Sequence, residues 1–151
     1  MALALADPTR QGDALAVTGD VSAPLHLSMA QLEKYKAVAV DMKDHDGSVI
    51  HYQGPLLADV LKDAGVSAGQ HPGKAVAIYV SVVASDGYQV VFGLGELTPM
   101  ISGRNIILAY RGNGKPLGEN VGPLRVVVEG DKVQARCIRM VTELRVGKLR
   151  K

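Results

Sequence analysis

The sequence predicts an α+β domain, a β-rich mixed sheet with a few short helices. Short apolar, β-branched runs recur along the chain and are separated by Gly, Asp and Pro. Only two stretches carry clear helix signals, and strands do not alternate with helices as a parallel βαβ sheet requires.

Residues 15–19 and 25–27 read as short strands, broken at Gly19-Asp20 and Ala23-Pro24. Ser28 followed three residues later by Gln31 is a capping box, which predicts a helix over 29–36. Residues 37–42 and 49–53 form a hairpin around Asp44-His45-Asp46-Gly47, because aspartate and glycine accept turn geometry. Gly54-Pro55 opens the second helix, with Pro55 at its first position, where a missing N–H costs nothing. Its buried face is Leu56, Leu57, Val60 and Leu61, and Gly65 suits a left-handed end. Residues 67–73 are loop, and 75–83 form a strand buried on both faces. Ser85-Asp86-Gly87 turns the chain into a strand over 88–92, and 96–100 make one helical turn. Strands follow over 105–110, 124–128 and 138–146, with turns at Gly112-Asn113-Gly114 and Glu129-Gly130-Asp131.

The 151 residues are enough for one domain with a real core. The organisation expected is a disordered N-terminal segment over 1–14 and one domain over 15–151. Met1-Ala2-Leu3-Ala4-Leu5-Ala6 also fits the remnant of a signal peptide ending in an A-x-A cleavage site, although the stretch by itself slightly favours an ordinary disordered N-terminus. Hydrophobic residues at 47% and charged residues at 21% mark a globular chain. A net charge of +2 is too small to imply a nucleic-acid protein. No apolar run approaches the length of a membrane span.

Several motifs are excluded on spacing. Gly93-Leu94-Gly95 lacks the third glycine of a dinucleotide fingerprint, since Thr98 stands there. Asp44-His45-Asp46-Gly47 lacks the carboxylates a calcium loop needs at its first and twelfth positions. The four histidines show no zinc spacing, and most of them read as surface residues. There is no G-x-S-x-G, and the single Cys137, read as part of the last strand, is a pocket-lining candidate rather than a nucleophile.

The arginines carry more weight. Arg125 begins a strand and Arg104 precedes another; Arg136 and Arg139 lie three apart on one predicted strand and so face opposite sides. Only one of that pair looks into any given pocket. A guanidinium at a strand end donates paired hydrogen bonds to a planar, acceptor-rich ligand or to phosphate. Ion pairing with Glu129, Asp131 or Glu143 is the competing reading, and the residues alone leave it open.

The order of these pieces resembles the molybdopterin-binding domain of the sulfite oxidase family. The matching stretches are Leu25-His26-Leu27-Ser28, Tyr52-Gln53-Gly54-Pro55-Leu56-Leu57, Ser85-Asp86-Gly87-Tyr88, and Leu108-Ala109-Tyr110 with Gly114-Lys115-Pro116-Leu117. Gly122-Pro123-Leu124-Arg125-Val126-Val127-Val128 and Arg136-Cys137-Ile138-Arg139 complete them, so the resemblance runs from about Leu15 to the end. It implies that Arg125 and Arg139 contact a pterin, that Cys137 lines the pocket, and that Asp86, Gly87 and Tyr88 lie beside it. Asp86 would accept from the pterin's N–H groups, while Tyr88 or Tyr110 would stack on its face.

One departure matters for mechanism. Catalytic members carry a molybdenum-ligating cysteine just after the strand matching residues 37–42, where this chain has Asp41-Met42-Lys43-Asp44. The resemblance therefore implies a small stand-alone, non-catalytic member that binds a reduced or molybdopterin-like pterin without molybdenum. It also implies a periplasmic location and a membrane receptor with a periplasmic domain as partner. The rival is a molybdenum-cofactor oxidoreductase, or a subunit of one, with atypical metal ligation through Asp41 or Asp44. A ligand-free interaction module is a third reading.

Overall fold

The computed structural model describes residues 12–68 and 72–149. The N-terminal stretch 1–11, residues 69–71 of the expected loop and the last two residues of the basic tail lie outside the described residues. Ala14, assigned by sequence to the N-terminal segment, already donates its N–H to Leu27 O at 2.7 Å.

In chain order the elements are β1 Leu15–Gly19, β2 Leu25–Leu27, α1 Met29–Leu32, β3 Val38–Lys43, β4 Val49–Gly54 and α2 Leu57–Asp63. Then come α3 Pro72–Ala75, β5 Ile78–Ala84, β6 Gln89–Gly93, α4 Leu94–Leu97, α5 Pro99–Ser102 and β7 Ile106–Ala109. β8 Arg111–Gly112, β9 Lys115–Pro116, β10 Arg125–Val128 and β11 Val141–Lys148 complete the chain, with a 3-10 turn at Gln134–Arg136 before β11.

Three sheets form: β2-β1-β11-β5-β6, β10-β7, and β3-β4-β8-β9. β1 lies parallel to β11, and the other neighbours are antiparallel. This is the mixed, sheet-rich α+β architecture that the sequence predicts.

The short β7–β10 ribbon is buried on both faces and separates two cores. On one side Ile106, Leu108, Val126 and Val128 join the main core with Leu15, Leu57, Leu61, Phe92 and Leu144. On the other, Ile107, Ala109 and Val127 pack against Val40 and Tyr52 of the β3–β4 hairpin. Alternation along β10 then decides where Arg125 goes. It shares a face with Val127, so its side chain leaves the main core and points toward Tyr52.

Local signals are realised where the chemistry is local. The Ser28–Gln31 capping box is present in full, with Gln31 N–H to Ser28 Oγ at 3.2 Å and Ser28 N–H to Gln31 Oε1 at 2.8 Å. Gly65 adopts φ +86°, and the bonds Gly65 N–H to Lys62 O and Val66 N–H to Leu61 O make a Schellman end.

Other expectations are corrected by tertiary contacts. The first helix stops at Leu32 rather than residue 36, because Tyr35 leaves the helix to bond Asp63. The second begins at Leu57, not at Pro55. Pro55 O instead accepts from Leu108 N–H at 2.8 Å and Leu56 bridges Ile107, so the backbone stays extended against β7. Residues 75–77 are not strand; β5 starts at Ile78 and has one open face, on which Tyr79 is exposed. The expected single turn over 96–100 is two helical turns broken at Thr98. The last strand starts at Val141 rather than residue 138, since Met140 takes φ +55° and Ile138 O is used by Val126 N–H.

Candidate functional site

Four segments meet around a cavity of about 470 Å³. The β3–β4 turn supplies His45, and the β5–β6 turn supplies Asp86 and Tyr88. The loop before β10 brings Asn120, the start of β10 brings Arg125, and the stretch before β11 brings Gln134, Cys137 and Arg139. Backbone bonds lock these segments together: Ser85 N–H donates to Met140 O and Met140 N–H to Val121 O, both at 2.9 Å.

Arg125 is 4% exposed. Its Nε donates to Cys137 O at 3.0 Å, Nη1 to Tyr52 Oη at 2.9 Å and Nη2 to Gln134 Oε1 at 3.2 Å. Its guanidinium carbon also lies 5.7 Å from the centre of the Tyr52 ring. All these partners are neutral, and among the described residues no carboxylate pairs with Arg125. A buried cation held by dipoles alone leaves positive potential on the cavity floor. A guanidinium has five N–H groups, so these three bonds leave two for a ligand.

The ion-pair reading holds for two of the other arginines. Arg136 forks onto Asp131 with both bonds at 3.0 Å, also bonds Glu96, and sits over Phe92. These hydrogen bonds hold the Arg136 guanidinium charged well above the usual arginine range. Arg104 also reaches Asp131, at 3.6 Å. Arg139, by contrast, is exposed, lines the cavity and makes no ion pair among the described residues. Only one of Arg136 and Arg139 faces the pocket, as the sequence leads one to expect, but not through strand alternation. Arg136 lies in the 3-10 turn and Arg139 follows it in irregular chain.

Asp86 accepts from Tyr88 N–H at 3.0 Å, and Tyr88 Oη donates to Ala135 O at 3.0 Å, which pins the ring beside the cavity. Cys137 is also not in a strand; it caps the 3-10 turn. Burial pushes its thiol pKa up, so it stays protonated near neutrality. Gly87 shapes the turn at φ +91° without lining the cavity. Tyr110 is the clear exception. It is buried in the main core, with the Arg111 guanidinium 5.5 Å from its ring centre, and does not reach the cavity. His45, which the sequence places only in a turn, and Asn120 and Gln134, which it does not single out, also line the cavity. The first two sit at turn positions, Asn120 with φ +64°, and only that turn chemistry hinted at them.

The residues 39–150 match the family model of the oxidoreductase molybdopterin-binding domain. The chain belongs to this family. A solved structure with a similar fold is the sulfane dehydrogenase SoxCD from Paracoccus pantotrophus, at 18% identity and a TM-score of 0.66. That likeness covers 94% of this chain but 40% of the other, so the chain spans well under half of that protein's chain. No curated protein matches the chain.

A molybdopterin is the cofactor that this family implies, and the pterin part suits the cavity. A flat, acceptor- and donor-rich ring meets guanidinium donors at Arg125 and Arg139, an acceptor at Asp86 and an aromatic ring at Tyr88. Among the described residues no cluster of three or more His, Cys, Asp or Glu side chains forms a metal site, and the one thiol is buried and protonated. Among the described residues, also, no helix is long and apolar enough to cross a membrane.

Proposed function

We propose that this chain is a non-catalytic pterin-binding protein of the periplasm, which relays pterin availability to the periplasmic domain of a membrane receptor. The observation that carries the binding part is Arg125: a buried guanidinium with only neutral partners at the floor of a polar cavity. An acceptor-rich or anionic ring satisfies its remaining N–H groups and balances its charge. Arg139 and Asp86 then stand at the mouth to grip the ring edge.

Two features support the absence of molybdenum. Asp41, Met42, Lys43 and Asp44 occupy the stretch where the family resemblance calls for a thiolate. Cys137 is held as a neutral thiol. Calorimetric titration of the purified protein with reduced pterins should give a saturable heat. Arg139→Ala should weaken binding by roughly ten- to a hundredfold, the worth of one charged hydrogen bond. The absence of any saturable heat with the wild-type protein overturns the proposal. In the native host the protein is expected in the periplasmic fraction; recovery from the cytoplasm removes the export and relay parts.

The family's description as oxidoreductase favours a second reading, a molybdenum-cofactor enzyme or subunit with atypical metal ligation through Asp41 or Asp44. Elemental analysis of protein from a molybdate-replete host separates the two. Stoichiometric molybdenum selects the second.

A further inference from the structure

We infer that Gln134 is a positioning residue that holds the β3–β4 turn, and with it His45, over the bound ligand; this rests on the cavity binding a pterin. Gln134 stands between two groups of opposite hydrogen-bonding character. Its Oε1 accepts from Arg125 Nη2 at 3.2 Å, and its Nε2 donates to Lys43 O at 2.8 Å. A guanidinium only donates and a carbonyl only accepts, so the orientation of the amide is fixed by its partners.

Lys43 is the last residue of β3, and His45, two residues on, lines the cavity. The turn between them and β4 is closed on itself. Asp44 N–H donates to Ser48 O at 2.8 Å, Gly47 N–H to Asp44 O at 3.0 Å, and Ser48 N–H to Asp46 Oδ1 at 2.8 Å. It therefore moves as one piece. β3 is an edge strand, with no neighbour on its outer side among the described residues. Apart from the β3–β4 ladder, the Gln134–Lys43 bond is the one hydrogen bond among the described residues that ties this end of the hairpin to the cavity wall. One side chain thus sets both the guanidinium beneath the ligand and the imidazole at its mouth. The part of the Gln134 contribution to affinity that passes through Lys43 acts by way of His45.

A double-mutant cycle tests this with 6-methyltetrahydropterin under anaerobic conditions as the probe. His45→Ala and Gln134→Met should each weaken binding about tenfold, and the double variant by clearly less than the product of the two. The ring-proton NMR resonance of His45, assigned by its loss in His45→Ala, should shift on titration of the wild type and stay still in Gln134→Met. Should Gln134→Met not fold, Gln134→Glu serves for the His45 resonance, since it drops the donor to Lys43, while its added charge against Arg125 keeps it out of the affinity cycle. Additive losses, an unchanged affinity in His45→Ala, or a His45 resonance that shifts equally in the Gln134 variant each overturn the inference. Saturable binding by the wild type with an unmoved His45 resonance removes this inference alone; no saturable binding removes it together with the pterin reading.

Discussion

Arg125 and Arg139 are the same residue type fourteen positions apart, and their surroundings give them different work. Arg125 is buried and makes three directed bonds from a rigid fork. Arg125→Lys keeps the charge but cannot reach three partners, so unfolding in denaturant should show a loss of about 1–3 kcal/mol. Arg139→Ala, at an exposed site without partners among the described residues, should change stability by less than about 0.5 kcal/mol while weakening ligand binding. Equal stability losses in the two variants would contradict this division. Cys137 adds a pH dependence. Its folded pKa lies above that of the unfolded thiol because burial disfavours the thiolate. The native state therefore binds the proton more tightly, and stability is complete below about pH 8.5 and falls as pH rises above it. Tyr35 acts in the same direction from about pH 10, its pKa raised by burial and then by the Asp63 hydrogen bond. Denaturant midpoints measured from pH 7 to 10 should fall, and Cys137→Ala should flatten the first part of the decline.

At the scale of elements, the close passage of β4 over β7 is the joint on which the site depends. Gln53 O and Pro55 O accept from Tyr110 N–H and Leu108 N–H at 2.9 and 2.8 Å. A Cβ on Gly54 would lie 2.0 Å from Leu108 O, against backbone that cannot give way. Gly54→Ala should therefore separate the hairpin from the β7–β10 ribbon and cost about 3 kcal/mol or more, seen as a lowered thermal midpoint or loss of soluble protein. A variant as stable as wild type would show the passage to be looser than described. The sequence suggested a helix start at Gly54-Pro55 because that dipeptide is a common opening. The residues serve a long-range ladder instead, which local propensity cannot register. Elements set by neighbours in sequence, the α1 cap and the Gly65 end, were legible; those set by partners fifty residues away were not.

For the whole molecule, the unbalanced buried charge and the polar cavity predict that a ligand bound there stabilises the fold. A pterin at about a hundred times its Kd should add about 2.7 kcal/mol, a rise of roughly 5–10 °C in thermal midpoint for a chain of this size. At the same pterin concentration the gain should shrink to about 0.4–1.4 kcal/mol in Arg139→Ala. A midpoint indifferent to reduced pterins at saturating concentration would argue against the cavity as their site.

Turn residues, caps and short β-branched runs determined the α+β class, because their geometry is set by neighbours in the chain. The order of short motifs pointed to the family, and that resemblance picked out Arg125, Arg139, Cys137, Asp86 and Tyr88, which all line the cavity. The tertiary structure alone decided that Tyr110 belongs to the core, that Arg136 is consumed by Asp131 and Glu96, and that Gln134 links Arg125 to Lys43. Those outcomes turn on which side chains meet across sheets and loops, and sequence spacing carries no measure of such distances.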